Sequence, residues 1–286
     1  MCKKIVVLLS CMDQKSHSII ARSHIQTDAI IINQCNTDSV EEVFFKNFKD
    51  VNCRVVFIST TQRGLSNSRN MAIINAPSDS IGLICDEDEV LADNYEDLIL
   101  EGYNSFKNPD LVAFKVGWNG FGKKYASKPY KLSYFQALRI CSVQITFKID
   151  RILEKQIFFD PLMGSGTGNG AGEENKFILD CRRKGMRMFY YPNEIARISQ
   201  GDSQWFKGFD NNYFENFGWS ARRIHNNIIL TCIYLFYYAV SKTSNPQLSP
   251  STSFLRVHVH LLLNLQIIRT EIPTSANNIP LPHNAT

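Results

Sequence analysis

Four short, unbroken apolar runs constrain this chain more than any other feature: Ile5–Leu9, Ala29–Ile32, Val55–Ile58 and Ile81–Cys85. None alternates with polar residues, so each reads as a strand covered on both faces, the habit of parallel sheets sandwiched by helices. The segments between them are long enough for crossover helices. In one of them Leu65, Ala72, Ile73 and Ala76 recur at helical spacing, with Ser66 placed as the N-cap. Further strands are expected at Leu111–Val116, Val143–Ile149 and Met186–Tyr191, the last stopped by Pro192. An α/β fold with a mostly parallel central sheet follows.

The composition supports a globular chain. Of 286 residues, 44% are hydrophobic and 20% charged, and a chain of this size buries roughly 75% of its unfolded surface. A net charge of +4 lacks the basic footprint of a nucleic-acid binder, so no nucleic-acid partner is expected. The eight cysteines, at 2, 11, 35, 53, 85, 141, 181 and 232, form no CxxC pair. They read as reduced thiols, mostly in the core, and so as a sign of a cytoplasmic protein. Lys3-Lys4 before Ile5–Leu9 and Ser10-Cys11 imitates a lipoprotein signal, but the apolar stretch is shorter than the roughly 7–15 residues such a signal needs.

Two segments look irregular. Gly117 to Pro129 reads as a loop over a sheet edge. Gly164 to Gly172 carries a glycine at every second position and reads as a mobile loop leading into a helix from about Glu174 to Arg183. Beyond it, Ile228–Val240 is an apolar, aromatic run preceded by Arg222, Arg223 and His225 and followed by Lys242. It falls short of the roughly 20 residues that span a bilayer. Two readings are open for it: a buried helix, or one lying in a membrane interface. About the last fifteen residues read as disordered.

The chemistry gathers in three places. Asp86-Glu87-Asp88-Glu89 follows the strand Ile81–Cys85 directly, and ligands of open α/β sheets bind at the carboxyl ends of strands. Carboxylates this close repel unless a cation compensates them, which suits Mg²⁺ or Mn²⁺. The alternative is an acidic turn capping a helix near Asp93–Leu100. In Arg63-Gly64-Leu65-Ser66-Asn67-Ser68-Arg69-Asn70, Arg69 lies four residues after Leu65 on the face expected to be buried. A buried guanidinium needs an anion, either a carboxylate such as Asp86 or a nucleotide phosphate. Glu173-Glu174 opens the later helix, as simple first-turn acids or as a proton acceptor. The alternating glycines do not form GxGxxG after a strand, and no P-loop, zinc spacing or GxSxG is present. His258-x-His260 reads as incidental.

In order, the opening strand, Gly64–Asn70, Asp86-Glu87-Asp88, Gly172-Glu173-Glu174-Asn175, Gly185–Pro192 and Ser203-Gln204-Trp205 resemble a family 2, GT-A-type glycosyltransferase of the bacterial cell-surface polysaccharide type. The resemblance covers about residues 3 to 224. It implies a three-layer domain over 1–224, with a nucleotide-sugar half (about 1–115) and an acceptor half (about 116–224), and a helical or membrane-peripheral extension over 225–286. It places Mn²⁺ or Mg²⁺ on Asp88, with Asp86 beside the metal or the ribose. It puts the donor site at Ser10, Met12, Gln34, Arg63, Ser66, Arg69, Asn70, Asp86 and Glu87. Trp205 would border the acceptor, and Glu174 would be the catalytic base with Glu173 its neighbour. The implied activity is inverting, metal-dependent transfer of a hexose from a nucleotide diphosphate sugar, UDP favoured, to a glycan or lipid-linked acceptor.

The chain departs from the family pattern at Ser10-Cys11-Met12, at Asn33-Gln34-Cys35-Asn36, where a carboxylate is usual, and at Ile198-Ser199, where a histidine is usual. The competing expectations are a nucleotidyltransferase of related fold and a non-catalytic nucleotide-sugar-binding protein. The location implied is the cytoplasm, at the inner face of the plasma membrane if Ile228–Val240 contacts lipid.

Overall fold

The computed structural model describes residues 4–118, 124–198 and 211–242. The four apolar runs form β1 (Ile5–Met12), β2 (Asp28–Gln34), β4 (Asn52–Thr60) and β5 (Ile81–Asp86), paired in parallel in the order β4-β2-β1-β5. Every β1 residue from Ile5 to Cys11 is buried, as a strand covered on both faces requires. The sheet continues through β9 (Ile145–Lys148), β7 (Leu111–Trp118), β10 (Met188–Ile198) and β6 (Glu89–Leu91), with β8 (Tyr130–Lys131) on β10. Because β9 is antiparallel to both β5 and β7, strands β1, β2, β4, β5, β7 and β10 run in one direction. Their carboxyl ends therefore share one edge.

Of the expected crossover helices, α2 (Leu65–Asn75) between β4 and β5 is realised in full and packs on β1 and β2. Between β1 and β2 there is only the single turn α1 (Ile19–Arg22). Between β2 and β4 the chain forms β3 (Ser39–Lys46), an antiparallel edge strand, instead of a helix. The reason is a period of two: Val43 and Phe45 pack on the core, while Val40 and Phe44 face out. α3 (Tyr95–Asn104) lies on β7 and β10.

Two boundaries also differ. β10 does not stop at Pro192 but runs on to Ile198, with Pro192 inside a register shift between Tyr190 and Glu194. An irregularity spares the ladder hydrogen bond that proline cannot donate. Val143 belongs to a 3₁₀ turn (Ser142–Gln144) ahead of β9, and α5 (Ile149–Glu154) follows. α4 (Tyr134–Ala137) carries a capping box from Ser133 and Gln136. α6 (Glu173–Arg183) opens one residue before the expected start.

The chain divides into two compact units, Met1–Phe206 and Lys207–Thr286. α7 (Asn211–His225) groups with α8 (Ile228–Lys242), where Phe217 and His225 set their rings against Tyr234. In α8, Leu235 is buried, whereas Ile229 and Tyr237 are 67% and 70% exposed. No helix among the described residues is long and apolar enough to cross a membrane. Cys11, Cys53, Cys85 and Cys181 are buried free thiols, as expected of core cysteines.

Candidate active site

The carboxyl edge of β1, β2 and β5 carries the acidic turn. In register, Ser10 of β1 stands beside Asp86 of β5, and Met12 beside Gln34 of β2. Glu87 binds the turn to the first strand, its Oε2 accepting from Met12 N at 3.3 Å and from Gln14 Nε2 at 3.0 Å. Glu89 starts β6 and is buried, its carboxyl held far above the usual range by burial and then by the charge of Asp86. Its Oε1 has no hydrogen-bond partner among the described residues. Burial, followed by Asp86, also raises the Asp88 carboxyl. The capping alternative fails here. Strand β6 separates these acids from α3, whose N-cap is Asn94 and whose first-turn acids are Glu96 and Asp97.

Arg69 joins this turn to the other acidic motif. Its guanidinium, 1% exposed, donates from Nη2 to both oxygens of Asp86 (3.0 and 3.1 Å) and to Ser142 Oγ (2.9 Å). From Nη1 it donates to Glu173 Oε1 at 3.0 Å. Its carbon lies 5.3 Å from the centre of the Phe159 ring. Burial lowers its proton affinity, but the charges of Asp86 and Glu173 outweigh that and raise it. The partners inside the protein are thus two carboxylates, Asp86 and Glu173. Breaking such a pair strands a buried charge, at a cost of about 3–5 kcal/mol.

The rest of the Gly64–Asn70 motif fixes the loop before α6. Ser66 is not the N-cap; Gly64 is, at φ 104°, and Ser66 Oγ donates to Met163 O at 2.8 Å. Asn70 and Phe159 exchange two hydrogen bonds of 2.8 Å, and Leu65 N donates to Ser165 O at 3.0 Å. A side chain at Gly166 would meet the Gly64 Cα at 3.3 Å, tighter than an ordinary contact, and both residues sit at positive φ, which glycine adopts freely. The glycine-rich loop is held rather than open: Gly164 N donates to Gly170 O, and Thr167 Oγ1 to Gly164 O. It delivers Glu173 and Glu174 into the first turn of α6. Glu173 is satisfied by Arg69 and by Gly172 N (3.1 Å). Glu174, half-buried beside it, has its carboxyl pushed up to about 7 by burial and then by the Glu173 charge. At this helix N-terminus desolvation outweighs the dipole.

Several residues read as substrate contacts also hydrogen-bond within the protein. Ser10 Oγ accepts from Ser68 Oγ at 2.8 Å, and Gln34 Oε1 accepts from Gly64 N at 2.8 Å. Ser10, Gln34, Ser66 and Asn70 are all buried. Met12 is exposed, and Arg63, also exposed, donates to Asn36 Oδ1 at 2.6 Å. Trp205 lies outside the described residues, as do Ser199 and His258-x-His260. Sequence reading missed Ser142 and Phe159, which belong to no motif and are brought to Arg69 only by the fold.

Among the described residues no group of three or more His, Cys, Asp or Glu is arranged to hold a metal ion. A divalent ion that shares a diphosphate needs only one or two protein carboxylates. The turn offers hard carboxylate oxygens, among them the Glu89 oxygen that has no hydrogen-bond partner among the described residues, the donor chemistry that Mg²⁺ or Mn²⁺ takes.

No family model and no curated protein sequence matches this chain. Solved structures do. TarS of S. aureus, residues 1–349 with UDP, superposes with a TM-score of 0.56 at 13% identity, over 93% of this chain and 73% of that one. The same fragment with UDP-GlcNAc gives 0.56 at 13% identity, over 93% and 74%. The fold is that of a GT-A-type glycosyltransferase. A longer TarS chain gives 0.55 at 12% identity, over 90% of this chain and 43% of that one. In this fold the carboxyl edge carrying Asp86, Arg69 and Glu173 is where open α/β sheets place ligands.

Proposed function

We propose that the protein is an inverting, metal-dependent glycosyltransferase of the family 2 type. It moves a hexose from a nucleotide diphosphate sugar, UDP favoured, to a hydroxyl of a glycan or lipid-linked acceptor in cell-surface polysaccharide synthesis. The observation that carries this reading is the meeting of Asp86 and Glu173, distant in sequence, on one buried arginine at the carboxyl edge of the sheet. The structural likeness to TarS bound to UDP and UDP-GlcNAc supports it.

In this mechanism Asp88 and Asp86 would hold Mn²⁺ or Mg²⁺, which would supply charge neutralisation for the leaving diphosphate. Glu174 accepts the proton of the acceptor hydroxyl. The hydroxyl oxygen bonds the anomeric carbon from the face opposite the leaving group, the carbon–oxygen bond to the diphosphate breaks, and its electron pair leaves with the nucleotide. One displacement inverts the centre, by the logic of two separated carboxylates. The Gly164–Gly172 loop covers the donor and limits hydrolysis.

The test uses the purified full chain with UDP- and GDP-hexoses, reading nucleotide release, together with calorimetry of UDP with and without Mn²⁺. We expect UDP to bind more tightly with Mn²⁺ and at least one UDP-hexose to turn over. Metal-independent binding without turnover would favour a sugar-nucleotide-binding protein, and pyrophosphate release from a nucleoside triphosphate and a sugar phosphate would favour a nucleotidyltransferase.

The same reading seats α8 on an anionic membrane surface at the inner face of the plasma membrane. Ile229, Ile233, Phe236 and Tyr237 are exposed there, and Arg222 and Arg223 supply cations at the end of α7, whereas His225 is buried. The full chain is expected to float with anionic vesicles and the triple variant I229S/I233S/F236S to stay behind; equal flotation of the two would remove α8 as the contact.

A further inference from the structure

Arg69 touches both acidic motifs, and it does so from a third element. α2 supplies the guanidinium, the end of β5 supplies Asp86, and the first turn of α6 supplies Glu173. Its bonds to these two acids and to Ser142 Oγ lie between 2.9 and 3.1 Å. Phe159 covers one face of the guanidinium, and Asn70, one residue along α2, exchanges two hydrogen bonds with the Phe159 backbone. Glu173 in turn is confined from its other side. Gly172 N donates to its Oε2, and a side chain on Gly164 would stand 2.9 Å from its carboxyl carbon. The contacts to Glu173 hold the first turn of α6, where Glu174 is the next residue.

We propose that Arg69 is a positioning residue of the transfer reaction, a buried strut that sets the separation between the donor-side acid Asp86 and the helical turn presenting Glu174. This rests on Glu174 being the proton acceptor. The planar fork matters more than the charge. Two nitrogens bind carboxylates on different elements at once, and an ammonium on a flexible stem cannot reproduce that geometry. Without the strut, Asp86 and Glu173 face each other as like charges, and the α6 turn moves away from the donor. A displacement of about 1 Å at a reacting group costs roughly a hundredfold in rate.

The variants are R69K and E173Q, each in the full chain, with E174Q as reference. Steady-state turnover is read with the UDP-hexose that the wild type uses, and UDP affinity by calorimetry with Mn²⁺. Both are expected to lower kcat by about a hundredfold while donor KM and UDP affinity change less than about threefold. The double variant R69K/E173Q should lose no more than the worse single variant, because both remove one linkage. A purely structural role would lower the folded fraction without this split between kcat and KM. Should R69K not fold, E173Q carries the test, since it leaves Arg69 and its bonds to Asp86 in place. The proposal is overturned if folded R69K or E173Q keeps kcat within about twofold of wild type while E174Q is inactive. If E174Q itself retains wild-type turnover, the assignment of the base has failed instead.

Discussion

Glu174→Gln is expected to lower kcat by about 10²–10⁴-fold, the range for removing a general base, with UDP affinity unchanged within about threefold. The amide keeps the shape and the helix turn but cannot take a proton from the acceptor. Burial and the neighbouring Glu173 push the native carboxyl up to about 7, which makes it a stronger base than an ordinary glutamate. Turnover of the wild type should therefore rise with pH through about 7, as the ionised form appears. Stability moves the other way. A folded-state pKa above the ordinary 4.5 favours the fold below that pH, and this advantage is lost as pH rises from 4.5 through about 7. Glu174→Gln removes the charge, so its Tm should exceed that of wild type by a few degrees at pH 8, with the gap closing toward pH 4.5. Differential scanning fluorimetry across pH checks this. Unchanged turnover, or a Tm difference independent of pH, would contradict the assigned environment.

Asp88→Asn should remove most of the effect of Mn²⁺ on UDP binding and lower turnover by about 10²–10³-fold, since a metal that neutralises a leaving diphosphate contributes several kcal/mol. In the proposed mechanism Asp88 is the main ligand of the ion, and burial with the neighbouring Asp86 charge raises its carboxyl, a crowding of like charges that a bound cation would relieve. Calorimetry of UDP with and without Mn²⁺, run on wild type and variant, reads the effect directly. A variant with wild-type turnover and an intact response to metal would take Asp88 out of the site.

Much of the site's neighbourhood was legible from sequence because it depends on local pattern. A run such as Ile81–Cys85 cannot be half-exposed, and acids that follow it must emerge at the strand's carboxyl end. The spacing of Leu65 and Arg69 put the arginine on the buried face of α2, where it lies. Errors arose where a local preference met a non-local partner. Ser66 has the chemistry of an N-cap, yet Met163 offers its carbonyl at 2.8 Å and takes the hydroxyl instead. Pro192 ends most strands, but a register shift against β7 lets this one continue. The glycine alternation suggested looseness, whereas Gly166 lies where two backbones approach each other and Gly164 packs against the Glu173 side chain.

The amino-acid order alone determined the parallel apolar strands, the acidic turn after β5 and the pair of acids that opens α6, because burial periodicity and helix starts are written within a few residues. Only the tertiary structure decided which anions Arg69 answers. Both a phosphate and a carboxylate satisfy a buried guanidinium, and nothing local distinguishes them. The choice follows from α2, β5 and α6 packing around one site, which brings Asp86 and Glu173 within 3.0 Å of the same side chain and leaves Glu174 beside them.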